Sequence, residues 1–109
     1  MDNGLYFMRV EPATGGKAEN GGILVLRNGR ILGGDAFFYY VGNYSAANGS
    51  WKGEFVTKQH TRSDLAVPVF GGKEVNVTFS GSYSGEGAEI QATSPGGGYR
   101  VALRRIADA

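Results

Sequence analysis

From residue 51 onward the chain alternates apolar and polar side chains with a period of two, and this restricts the fold more than any other feature. Trp51, Gly53, Phe55 and Thr57 alternate with Lys52, Glu54, Val56 and Lys58. Val75, Val77, Phe79, Gly81 and Tyr83 alternate with Glu74, Asn76, Thr78, Ser80 and Ser82. The same rhythm runs through Ala88–Thr93 and Tyr99–Ile106. Successive side chains of a β-strand point to opposite faces, so each run reads as a strand with one dry and one wet face. No window shows a 3.6-residue apolar period. A single helical turn is conceivable at 62–69, where Pro68 would end it.

Between the runs lie glycines, 19 in all, with only 3 prolines and no period of three. That combination excludes collagen and fits tight turns. Asn28-Gly29 between "ILVLR" and "RIL" is a strong hairpin signal, because a type I′ turn needs positive φ at both central residues. Asn48-Gly49 is a second. Gly71-Gly72-Lys73, Gly85-Glu86-Gly87 and Gly96-Gly97-Gly98 mark later corners, and residues 11–21 form the loosest loop. Eight strands follow: Gly4–Val10, Gly22–Arg27, Arg30–Gly34, Ala36–Tyr44, Trp51–His60, Glu74–Tyr83, Ala88–Thr93 and Tyr99–Ile106. Eight consecutive strands joined by short turns predict an all-β, antiparallel up-and-down barrel in one domain spanning 1–109, with a two-sheet sandwich as the alternative.

The first half of the chain breaks the alternation. If Tyr6, Met8 and Val10 face inward, Leu5 and Phe7 face outward. Leu24 and Leu26 inward put Ile23 and Val25 outside. In "FFYYV", inward Phe38 and Tyr40 leave Phe37, Tyr39 and Val41 outside. The expected result is an outward apolar patch of Leu5, Phe7, Ile23, Val25, Phe37, Tyr39 and Val41. A monomer seldom exposes such a patch without a use, and a two-fold homodimer would cover it. Inside, Tyr40, Trp51, Phe55, Phe79 and Tyr83 would either fill the barrel or border a cavity for a small apolar ligand.

Signals for chemistry are weak. His60 is the single histidine; with Ser63 and Asp64 it sits in one short loop, and no G-x-S-x-G elbow accompanies it. No catalytic residue is expected. The chain has no cysteine, and its carboxylates lack EF-hand spacing, so no metal or cofactor is expected. Eleven basic residues against 10 acidic ones give no electrostatic pull toward nucleic acid. "MDNGLYFMRV" lacks a charged segment followed by a long apolar run, and no stretch reaches membrane-spanning length. A cytoplasmic protein without membrane or nucleic-acid partners is the expectation.

Gly4-Leu5-Tyr6, the Asn28-Gly29 hairpin, and Gly33-Gly34-Asp35 followed by Tyr40-x-Gly42 together resemble the GrlR-like family of small bacterial regulators. The resemblance covers Gly4 to about Asn43, and after Trp51 it is one of pattern. It implies a lipocalin-like eight-stranded barrel that forms a homodimer. It also implies negative regulation of type III secretion, by binding a transcriptional activator and keeping it from its promoter. The family's founder carries an acidic tetrad after the strand matching Ala36–Tyr44; here that place reads Ala46, Ala47, Asn48, Gly49. No partner-binding residue is carried over.

Overall fold

The computed structural model describes residues 1–15, 19–65, 70 and 74–108. Eight strands occur: β1 (Gly4–Pro12), β2 (Glu19–Arg27), β3 (Arg30–Gly34), β4 (Phe38–Ala47), β5 (Ser50–Gln59), β6 (Glu74–Tyr83), β7 (Gly87–Ser94) and β8 (Gly97–Ala107). Each pairs antiparallel with its neighbour in sequence, and β8 returns to β1, closing the barrel. Closure leaves no unpaired sheet edge, which is how an all-β chain of this size satisfies its backbone without exposing a template for aggregation. No helix occurs among the described residues, and none is long and apolar enough to cross a membrane.

Two hairpin turns follow the sequence closely. The expected loop at 11–21 is instead strand at both ends, with β1 reaching Pro12 and β2 starting at Glu19, and the corner expected at Gly71-Gly72-Lys73 falls outside the described residues. Asn28 and Gly29 take φ of 50° and 83°, and Asn48 and Gly49 take 56° and 82°, the left-handed pair that a two-residue hairpin demands. The β3–β4 corner departs from expectation. Strand β4 begins at Phe38 rather than Ala36 and runs on to Ala47. Asp35 is the cause. Its Oδ1 accepts from the amides of Phe37 and Phe38 at 2.9 and 2.8 Å, and its own amide donates to the Phe38 carbonyl at 2.9 Å. This side-chain turn holds residues 35–37 out of the ladder. Of the segment 62–69, where the sequence allows one helical turn, Asp64 and Leu65 lie in a turn, and residues 66–69 fall outside the described residues.

The core is the barrel interior. Tyr6, Tyr40, Met8, Leu26, Ile31, Val10 and Val77 are fully buried there, with Trp51, Phe55 and Phe79 close behind. Large rings fit inside so narrow a barrel because glycines stand beside them across the sheet. Gly42 pairs with Phe55, Gly33 with Tyr40 and Gly81 with Trp51, while Gly53 faces Phe79. A Cβ on Gly42 would come within 2.1 Å of the Glu54 carbonyl oxygen, so no larger residue fits that crossing.

Candidate functional site

Two places could do work in a small barrel: its inside and its outside. The inside is occupied by its own side chains. Trp51 packs on Phe79 at 4.6 Å between ring centroids and on Tyr44 at 5.7 Å. Phe55 meets Phe70 at 5.3 Å, Phe79 at 6.1 Å and Tyr40 at 6.3 Å, and Phe70 continues to Tyr99 at 5.4 Å. Phe70 comes from the β5–β6 connection and is buried at one end of the barrel. The Ser94 hydroxyl holds it there by donating to its carbonyl at 3.0 Å. At the other end Met1 packs against the core, and the Tyr6 hydroxyl donates to the Asp2 carbonyl at 2.7 Å. Tyr83, expected beside Trp51, is half-buried and packs at the edge of the same cluster. Four concavities of about 440–560 Å³ each are lined mostly by outward residues such as Ser82, Glu89, Arg100 and Lys52 and lie on the surface of the barrel.

The residues that suggested a triad do not assemble one. His60 Nε2 lies 3.0 Å from the Asp35 carbonyl oxygen and Nδ1 lies 2.7 Å from the Thr61 hydroxyl. Ser63 accepts the amide of Leu65 at 3.1 Å. With Nε2–H donating to Asp35 and Nδ1 accepting from Thr61, the imidazole ties the end of β5 to the β3–β4 corner. Among the described residues no three His, Asp or Glu side chains lie close enough together to share a metal ion.

Among the described residues the most strongly perturbed ionisable group is Tyr40, which is fully buried. Burial pushes its phenol well above the usual tyrosine value, and the Asp35 carboxylate adds to the shift by accepting its hydrogen and by repelling a phenolate. The hydroxyl sits 2.5 Å from Asp35 Oδ2 and also within hydrogen-bonding reach of the Gly21 carbonyl. A phenol has one hydrogen and donates to one of these at a time. Tyr6 is raised in the same direction by burial, with Arg105 opposing. Both groups brace ends of the barrel: Tyr40 ties β4 to β2 and to the Asp35 turn, and Tyr6 ties β1 to the residues before it.

The outside is where the structure gathers the expected patch. One outward row crosses five strands in register: Leu5 beside Val25, Val25 beside Leu32, Leu32 beside Val41, Val41 beside Val56. A second row lies two residues along: Phe7 beside Ile23, Ile23 beside Gly34, Gly34 beside Tyr39. Leu5, Phe7, Ile23 and Val25 are half-buried by their neighbours, whereas Tyr39 and Val41 are each 39% exposed. The rows end in charge. The Arg104 guanidinium lies 5.6 Å from the centre of the Phe7 ring, Lys58 follows Tyr39 and pairs with Glu74 at 3.4 Å, and Arg27, Arg30 and Glu54 border the first row.

Phe37 is placed differently from the expectation. It precedes β4, inside the Asp35 turn, and its half-buried ring packs against the core. Its carbonyl receives the amide of His60 at 2.8 Å. The turn chemistry of Asp35 interrupts the alternation there, so Phe37 does not continue the outward column of Tyr39 and Val41. Two members of the patch escaped the sequence reading. Leu32, at 44% exposure, lies on a five-residue strand too short to show alternation. Val56 stands among Lys52, Glu54 and Lys58 and reads as part of a wet face until Val41 is seen beside it. The signal for Val56 was the one apolar residue in a column of charges.

No protein-family model matches the chain, and no curated protein matches it.

Proposed function

We propose that this chain is a non-enzymatic, protein-binding barrel that works through the apolar rows on β1–β5 and associates there with a second copy of itself. The observation that carries the reading is the in-register run of Leu5, Val25, Leu32, Val41 and Val56 on the outer wall of a barrel whose interior is already filled. Solvent gains nothing from such a row, and burying it on a partner is favourable by about 25 cal/mol per Å² of apolar surface. The aromatic packing inside, with Phe70 seated at one end, weighs against a carrier of small apolar molecules. The resemblance to GrlR-like regulators points the same way: a cytoplasmic protein whose partner is a transcriptional activator.

Sedimentation velocity at micromolar concentration tests the reading. The wild-type chain sediments as a dimer, and a Leu32→Arg, Val41→Asp double variant sediments as a monomer with an unchanged β-sheet circular dichroism spectrum. A wild-type chain that is monomeric across the concentration range, or a double variant that stays dimeric, overturns it. For the regulatory part, the wild-type protein purified from its own cells carries a sequence-specific DNA-binding protein, and adding more of the barrel releases that protein from its promoter DNA. Undiminished promoter binding would sink the regulatory reading.

A further inference from the structure

We propose that the end of the barrel closed by the Asn28-Gly29 and Asn48-Gly49 turns binds a small organic carboxylate, held by the Trp51 indole N–H and the Arg105 guanidinium. The proposal goes beyond the protein-binding reading above and does not depend on it. In an up-and-down barrel alternate connections lie at the same end, so these two turns, the β6–β7 turn, the start of β1 and the close of β8 gather there. Three backbone bonds knit them together. The Tyr44 amide donates to the Gly29 carbonyl at 2.8 Å, the Tyr83 amide to the Gly49 carbonyl at 3.0 Å, and the Arg105 amide to the Glu86 carbonyl at 2.8 Å.

Among the described residues two buried side-chain N–H groups lack an acceptor, and both belong to this end: Trp51 Nε1 and Arg105 Nε. Trp51 is 3% exposed, and its ring meets Tyr44 edge-on at 5.7 Å between centroids. Arg105 is the cross-strand partner of Tyr6. Its Nε lies over Gly4, where a Cβ would come within 2.9 Å of it, so the bare glycine leaves the place the guanidinium takes. The outer nitrogen Nη2 is already used, donating to the Asn3 carbonyl at 3.2 Å and pairing with Asp108. Arg105, Asp2 and Tyr44 all act electrostatically on the Tyr6 hydroxyl, so these groups stand around one point.

A buried donor without an acceptor is rare in a native fold and marks a place for one. Two such donors, brought from β5 and β8 to one end, complement a group with two acceptor atoms. A carboxylate has two oxygens and donates nothing. One guanidinium, partly committed to Asp108, suits a single negative charge better than the two of a phosphate. Tyr44, Trp51, Phe79 and Tyr83 offer ring surface for an aromatic or short acyl body. Tyr44, Ala46 and Tyr83 are only half-buried, so solvent reaches this end, whereas deeper in Phe55, Phe70 and Tyr99 fill the barrel. The ligand therefore sits at the mouth, with its carboxylate turned inward to the two donors.

The chain holds one tryptophan, so its amide-correlation NMR spectrum carries one indole N–H signal. Benzoate and hexanoate are the probes. At millimolar concentration at least one of them moves the indole signal downfield, as an N–H moves on gaining a charged acceptor, and moves the Arg105 Nε–H signal along the same saturation curve. Benzyl alcohol and hexanol, with the same bodies and no charge, leave both signals in place, and so does sulfate. Arg105→Gln retains the β-sheet spectrum and weakens binding by about tenfold or more, the loss expected for one charge-assisted hydrogen bond. The wild-type titration alone decides the matter should that variant fail to fold. Signals indifferent to both carboxylates, or equally responsive to the alcohols or to sulfate, overturn the proposal. So does an indole N–H in contact with a bound water that neither carboxylate displaces, and an Arg105→Gln chain that binds as tightly as wild type.

Discussion

Raising the pH should weaken this barrel through Tyr40, and the size of the effect follows from its surroundings. In the folded protein the phenol is fully buried and held against the Asp35 carboxylate, so it keeps its proton well above the usual value. In the unfolded chain it ionises near pH 10. The sign follows directly. Below about pH 10 both states are protonated and the stabilising contribution is complete; above it the unfolded state sheds a proton that the folded state retains, and stability falls as pH rises. One such tyrosine lowers the unfolding free energy by about 1.4 kcal/mol between pH 9 and pH 11. Tyr40→Phe removes the titration. At neutral pH it costs about 1–3 kcal/mol, because it leaves Gly21 and Asp35 acceptors without their donor. Urea unfolding of both proteins at several pH values reads the difference. The gap between wild type and Tyr40→Phe should narrow by about 1.4 kcal/mol from pH 9 to pH 11, with Tyr6 and the exposed groups cancelling between them. A gap that stays constant with pH would refute the reasoning, since it would mean that Tyr40 ionises as readily folded as unfolded.

Two other outcomes test the packing. Trp51→Ala removes the ring lodged between Tyr44 and Phe79 and should cost about 3–5 kcal/mol, seen as a fall in melting temperature of at least about 12 °C; an unchanged melting temperature would mean that Trp51 does not face inward. Gly42→Ala forces a Cβ to within 2.1 Å of the Glu54 carbonyl oxygen, so β4 and β5 must separate locally; hydrogen exchange at their paired amides should quicken, and unaltered protection would show that the crossing has slack.

Much of this architecture is legible in the sequence because it depends on short-range rules. The period of two assigned inward and outward faces for Trp51, Phe55, Val77, Phe79, Ile90 and Val101, and all of them are buried. Asn28-Gly29 and Asn48-Gly49 specified their turns through backbone sterics alone. What local pattern cannot supply is the neighbour across the sheet. Whether Val56 is a stray apolar residue on a charged face or the end of a row depends on Val41 being its partner in β4. Leu32 acquires its place only when β2 and β4 flank it with Val25 and Val41. Phe37 goes the other way: the alternation carried it outward, and the Asp35 carboxylate, by capturing two amides, turned it onto the core. Alternation and turn chemistry are properties of adjacent residues, so the chain determines them by itself. A surface row is a property of register between neighbouring strands, and the pairing of β1 through β5 decided it.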